Sequence, residues 1–296
     1  MGFCFGRVPQ AGGISARIRT WRGWIFSSSR RAQFASLGSS TARTISHALF
    51  SLIFPDSCRV CGESLREVAR YPVCPRCIAE PEALSAEFFC ICCRTPFQNP
   101  FPLDDQGRCA LCRAGLRGFD AAYAFGAYEG VLRRLIHLFK YGKIRTLERP
   151  LSALLARALP RDEAFDVIVP VPLHWRRRLQ RGFNQAGLLA RGVSRVTGIP
   201  VLGALGRVRS TSTQAGLSNR SRRRNVTRAF RSRNVSGKRI LLIDDVMTTG
   251  ATGAACALAL KQAGARRVSL LTVARVDRRM DGMRLESTHR LAGGKV

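Results

Sequence analysis

The stretch Lys238–Thr252, KRILLIDDVMTTGAT, decides how the rest of the chain is read. Its apolar run Ile240–Ile243 reads as a strand and leads straight into two adjacent carboxylates, Asp244 and Asp245. Thr248, Thr249, Gly250, Ala251 and Thr252 follow as a short turn, and the pattern predicts a helix over roughly 253–262 that Gly264 stops. A turn that opens a helix aims backbone N–H groups at the space beyond its N-terminus, where an anion can be held. The threonine hydroxyls add donors, and Gly250 lets the backbone approach closely. Two carboxylates just ahead of the turn suit the vicinal hydroxyls of a sugar or a Mg²⁺ ion. One phosphate and one diol within reach of a single turn describe a ribose 5-phosphate.

Working outward, Asp166–Pro172 (DVIVPVP) is a short apolar strand ending in Pro-x-Pro, as suits a strand buried on both faces. A helix is predicted over 184–196, a short strand over 199–201, and another buried strand over 268–273. Strands alternating with helices at this spacing predict a doubly wound parallel α/β sheet. Sites in such sheets sit beyond the strands' carboxyl ends, where Pro172 and the 244–252 stretch both fall. Upstream, alternation over 122–128 reads as a strand. Val131, Leu132, Leu135, Ile136, Leu138 and Phe139 recur at helical spacing up to Gly142, and a second helix is expected over 147–159.

Two basic blocks point at the same cleft. One carries Arg176, Arg177, Arg178 and Arg181 before Gly182, Phe183, Asn184 and Gln185; the other carries Gln214, Leu217, Arg222, Arg224 and Asn225. Paired guanidinium donors suit a pyrophosphate leaving group, and a basic loop can close over it. From Val167 to Ile243 there are 17 Lys and Arg and no Asp or Glu, within a net charge of +30. Only 5 of the 49 basic residues are lysine, so a GC-rich codon bias accounts for part of that charge. The acid-free stretch still makes a face that attracts polyanions such as pyrophosphate or nucleic acid.

Ten of the eleven cysteines precede residue 113, and eight form four CxxC pairs: Cys58/Cys61, Cys74/Cys77, Cys90/Cys93 and Cys109/Cys112. The two-residue gap turns both thiolates of a pair toward one tetrahedral metal, and two pairs complete a site. Two zinc ions are expected, most simply one on Cys58, Cys61, Cys74 and Cys77 and one on Cys90, Cys93, Cys109 and Cys112. Disulfides, a redox CxxC and an iron–sulfur cluster are the competing readings. Cys92 is read as a non-ligand, and metal is expected to supply this segment's folding energy. No run of 18 or more apolar residues is present, so no transmembrane helix is predicted and a cytoplasmic location is expected. Residues 1–47 read as a basic, disordered extension, 48–117 as a double zinc ribbon, 118–276 as the catalytic-type domain and 277–296 as a loose tail.

The stretch 238–252 resembles the 5-phosphoribosyl-1-pyrophosphate (PRPP) loop of type I phosphoribosyltransferases: an apolar strand, two acids and TTGxT. The four cysteine pairs, the FKY of Phe139–Tyr141, the RGFNQ of Arg181–Gln185, the Q-x-x-L…R-x-x-N of Gln214–Asn225 and DDVMTTGAT together resemble the ComF family over about residues 48–276. That resemblance implies a type I phosphoribosyltransferase-like sheet behind a zinc ribbon. It implies PRPP with Mg²⁺ as ligand, Asp244 and Asp245 as the catalytic pair on the ribose, and 248–252 on the 5-phosphate. Pro172, Arg181, Asn184, Arg222 and Lys140 are carried as further ligand contacts. It also implies a competence role, handling incoming single-stranded DNA with other competence proteins. An active phosphoribosyltransferase with an unknown acceptor is the alternative. No segment with obvious base-reading residues is evident, which favours the first reading.

Overall fold

The computed structural model describes residues 57–65, 71–97, 99–116, 118–173, 179, 181–207 and 229–276. The expected extension 1–47, the tail 277–296, and Arg176, Arg177, Arg178, Gln214, Leu217, Arg222, Arg224 and Asn225 lie outside the described residues. Helix α1 (Pro75–Ala79), strands β1 (Phe88–Phe89) and β2 (Pro96–Phe97) and helix α2 (Ala110–Arg113) form the cysteine-rich part. Strand β3 (Ala121–Ala127), helix α3 (Gly130–Lys140), a 3-10 turn (Arg145–Leu147) and helix α4 (Glu148–Arg157) follow. Then come β4 (Val167–Pro170), α5 (Gln185–Thr197), β5 (Leu205–Arg207), β6 (Phe230–Ser232), β7 (Arg239–Met247), α6 (Ala251–Gln262) and β8 (Arg267–Arg275).

The main sheet is all parallel, in the order β3-β8-β7-β4. Its central strands are apolar throughout because both faces are covered. Ile240, Leu242, Val268 and Leu270 face one core layer with α6, while Leu241, Ile243, Leu271 and Val273 face another with α3, α4 and α5. Leu241 and Leu242 are wholly buried, and each such side chain contributes about 1.5–3 kcal/mol over an exposed one. On the second face, α4 and α5 come close where Gly192 leaves room. A Cβ there would lie 2.1 Å from Ser152 Oγ.

The expected strand over 199–201 reduces to a single bridge, Ile168↔Val201. Ile168 N donates to Pro200 O and Leu202 N to Ile168 O, both at 2.8 Å, and neither Pro200 nor Pro170 has an N–H to carry the ladder further. The antiparallel pair β5–β6 was not anticipated. Its strands are three residues each and stand either side of the basic block, too short and too far apart for periodicity to reveal. The helix after the acidic pair begins at Ala251, two residues before the expected start.

The cysteine-rich part packs on both faces of the sheet and seals its β3 edge. Cys90, Cys93, Cys109 and Cys112 belong to the core layer with α6, whereas Cys58, Cys74 and Cys77 belong to the layer with α3. Along the edge, Ala122 N donates to Cys92 O at 3.0 Å and Leu84 N to Phe125 O at 2.7 Å. An open parallel edge would otherwise offer unpaired backbone groups to another chain. Behind the sheet, the Glu163 carboxylate accepts from Tyr123 Oη and Ser269 Oγ, both at 2.7 Å, and from Arg267 Nη2 at 2.8 Å, locking the 160–166 connection to β3 and β8.

Candidate functional site

The cysteines gather into two groups of four, Cys58/Cys61/Cys74/Cys77 and Cys90/Cys93/Cys109/Cys112, with the sulfurs of each group within 4.8 Å of one another. A tetrahedral metal with metal–sulfur bonds of about 2.3 Å needs sulfurs about 3.8 Å apart. The separations Cys61–Cys74 (3.7 Å), Cys90–Cys112 (3.7 Å) and Cys93–Cys109 (3.6 Å) fit that tetrahedron and are far too long for disulfides. The sulfurs also receive backbone N–H groups, from Cys74 to Cys58 Sγ at 3.3 Å and from Cys109 to Cys90 Sγ at 3.3 Å, as suits thiolates. Both groups can therefore hold a metal ion, and Cys92 stands outside them.

The second centre lies where β7 passes into α6. Asp244 and Asp245 are the partly buried sixth and seventh residues of β7, and Asp245 N donates to Asp244 Oδ1 at 2.9 Å. Met247 closes the strand, and Gly250 caps α6 with φ of 75°, a conformation that disfavours any side chain. Leu116 lies under that glycine, 3.1 Å from where a Cβ would stand. Gly250 has no side chain to cap the helix, and first-turn N–H groups have no intrahelical acceptor, so they can be met by an outside anion. Thr249 turns its hydroxyl back to accept from Ala251 N at 3.3 Å, which shapes the turn.

Helix α3 buries Leu132, Leu135, Ile136 and Phe139 against the sheet, and this places its last residue, Lys140, at the acidic pair. Lys140 Nζ lies 2.9 Å from Asp245 Oδ1, with the two side chains only 12% and 13% exposed. Burial by itself would lower the Lys140 pKa, but the Asp245 carboxylate outweighs it and the net shift is upward. Lys140 thus neutralises Asp245 directly, a pairing across more than a hundred residues that spacing could not reveal. Among the described residues no cation is in contact with Asp244. Burial pushes its carboxyl up to about 7, the Asp245 charge adding to the push, with Lys140 and Arg181 pulling the other way.

Arg181 reaches the rim of this centre, its guanidinium 5.1 Å from the Tyr141 ring centroid and its Nη1 donating to Gln185 Oε1 at 3.3 Å. Asn184 precedes α5 but does not cap it. Its Nδ2 donates instead to Val171 O at 3.2 Å, next to Pro172, so the α5 N-terminus is fastened to the carboxyl end of β4. Pro172, Arg181, Asn184, Lys140 and the 244–252 stretch therefore occupy the carboxyl-end side of the sheet, while Arg222 lies outside the described residues. Tyr141 and Arg145 were not singled out by sequence reasoning. Tyr141 is 60% exposed beneath Arg181, and Arg145 donates to Gly182 O at 3.1 Å and stacks on Phe183. Tyr141's place directly after Lys140 in the FKY segment was the available signal.

The Asp244 environment gives a testable pH dependence. The native state keeps a proton that the unfolded chain releases near 3.8, so this group's contribution to stability falls as pH rises from about 3.8 to about 7 and is level above. Asp244→Asn should raise the melting temperature at pH 8 by about 3 °C, on the order of 1 kcal/mol, and flatten the slope between pH 5 and 7. Thermal melts across that range check it, and a variant as pH-sensitive as the parent would contradict the assignment.

A parallel sheet with an acidic pair and a glycine turn into a helix at its carboxyl end defines a protein of the type I phosphoribosyltransferase fold, and the phosphoribosyl transferase domain model matches residues 163–288. The chain is 35% identical over 179 residues to competence protein F of Haemophilus influenzae, covering 56% of this chain and 78% of that one. It is 31% identical over 226 residues to the DNA utilization protein YhgH of Salmonella typhimurium, covering 74% and 89%. It belongs to the ComF family. Among solved structures, glutamine phosphoribosylpyrophosphate amidotransferase from B. subtilis complexed with ADP and GMP is 25% identical at a TM-score of 0.30, over 42% of this chain and a quarter of that one. Among the described residues no helix is long and apolar enough to cross a membrane.

Proposed function

We propose that this protein binds PRPP with Mg²⁺ at the end of β7 and acts in competence, handling incoming single-stranded DNA in the cytoplasm together with other competence proteins. The observation that carries the ligand reading is the Asp244–Asp245 pair standing immediately before an uncapped helix N-terminus, with Lys140 on Asp245. Mg²⁺ would bring hard-cation charge to the pyrophosphate and ribose oxygens of the ligand, and Asp244 and Asp245 are the residues to receive it or the ribose hydroxyls. Thr248, Thr249, Gly250, Ala251 and Thr252 hold the 5-phosphate, Arg181 faces the pyrophosphate, and Asn184 and Pro172 hold the strand end in place. Zinc is the metal that the two cysteine groups suit best: four sulfur ligands, tetrahedral spacing and no open position.

The nucleic-acid part rests on the 77-residue stretch with 17 basic residues and no acid, and on relatives named for competence and DNA utilization. Binding by such a face is non-specific and salt-dependent. The test is twofold. PRPP with Mg²⁺ should raise the melting temperature saturably. Filter binding of a single-stranded oligonucleotide should weaken by about tenfold or more between 50 and 200 mM salt. Absence of the thermal shift would reject the ligand, and salt-independent or absent retention would reject the DNA role. Pyrophosphate release on adding free bases would instead establish a phosphoribosyltransferase.

A further inference from the structure

Arg275, the last residue of β8, is a guanidinium held 5% exposed inside the protein. Its Nη1 donates to Cys93 O and its Nη2 to Thr95 Oγ1, both at 2.5 Å, and that same Thr95 hydroxyl lies 2.9 Å from Cys93 Sγ. Arginine is almost never buried without a partner. Four thiolates around a divalent ion carry a net charge of about −2, and such a cluster is the counter-charge that a buried guanidinium needs. Arg275 is also paired in register with Met247, the residue that precedes the 248–252 turn, and Val276 N donates to Met247 O at 3.0 Å. A second connection runs from the other end of the same cysteine group. Leu116, four residues after Cys112, supports Gly250, and Gly118 lies against the first turns of α6, where a Cβ would stand 2.3 Å from Ala254 O.

We propose that Arg275 is a positioning residue: it ties the metal centre of Cys90, Cys93, Cys109 and Cys112 to the end of β7, so that metal held there sets the shape of the 248–252 turn and its affinity for a sugar phosphate. The consequence for affinity rests on the ligand reading above; the mechanical tie does not. The other cysteine group packs on the opposite face, against α3.

The test uses the full chain loaded with zinc, comparing the parent with Arg275→Gln, Thr95→Val and a control, Leu155→Ala, whose wholly buried side chain lies in α4. Three quantities are read: release of zinc to a chromophoric chelator, hydrogen exchange of the 248–252 amides, and affinity for ribose 5-phosphate, a probe that lacks the pyrophosphate. In Arg275→Gln one of the two ions should leave about tenfold faster, the turn's amides should exchange about tenfold faster, and affinity should fall about tenfold. Thr95→Val, which removes the hydroxyl that accepts from Arg275 Nη2 and also its contact with Cys93 Sγ, should move all three in the same direction by about threefold; the turn's exchange and affinity, which the loss of that sulfur contact alone would not move, decide the matter if Arg275→Gln does not fold. Leu155→Ala should lower the melting temperature without moving the turn. Parent rates of exchange and release in Thr95→Val, or equal changes in Leu155→Ala, would overturn the proposal. A parent protein that ignores ribose 5-phosphate would reject the ligand reading, while exchange and release would still decide the tie.

Discussion

Asp245→Ala is expected to weaken PRPP·Mg²⁺ binding at least a hundredfold, close to 3 kcal/mol. The carboxylate would contribute charge-assisted contacts worth about 1.5–3 kcal/mol each, and its removal strips the ligand of one of its two acids. The same change leaves Lys140 only 12% exposed with its closest counter-charge gone. Breaking a buried pair from one side costs about 3–5 kcal/mol, so the variant should also melt lower. The two effects separate in the double variant Asp245→Ala/Lys140→Met, which should regain most of the lost stability and none of the lost affinity. Calorimetric titration alongside thermal melts measures both; single-variant binding equal to the parent would contradict the assignment of Asp245.

The second large effect is on folding. Cys109→Ser should cost one of the two metal ions that the cysteine groups can hold, and at least about 5 kcal/mol, enough to unfold a domain of ordinary stability. Cys109 is 4% exposed, its N–H serves Cys90 Sγ, and its sulfur lies 3.6 Å from that of Cys93 within the same apolar layer as Leu242, Leu260 and Leu270. Loss of the ion thus leaves polar sulfurs stranded against the sheet. Cys61, the exposed member of the other group, should be less costly to replace. Metal content per chain with a thermal melt checks this, and a Cys109→Ser protein that keeps two ions and melts with the parent would contradict it.

Much of the architecture could be read from residues alone, for identifiable reasons. The runs Ile240–Ile243 and Val268–Val273 are apolar without alternation because both sheet faces are covered, and that signature is local. The acidic pair and the turn are contiguous, so their relation needs no fold to be seen. Likewise a CxxC knuckle is complete within four residues. What escaped was long-range. Nothing in sequence places Lys140 on Asp245, or sends the two cysteine groups to opposite faces of one sheet. Arg275 ends the run VSLLTVAR as the one charge in a run otherwise built for burial, Arg267 at the other end of β8 being exposed, and a buried charge demands a partner; only the fold says that the partner lies among the cysteines. The strand expected over 199–201 is a single bridge because Pro200 and Pro170 have no N–H with which to extend it.

The site itself is tested most directly by following backbone amide resonances of the ¹⁵N-labelled, zinc-loaded protein during titration with PRPP and Mg²⁺. Saturable shifts at Asp245 and across Thr248–Thr252, absent in Asp245→Ala, are the predicted result. Saturable shifts elsewhere with the 244–252 amides unmoved, or no shifts at millimolar ligand, would contradict a phosphoribosyl site at the end of β7.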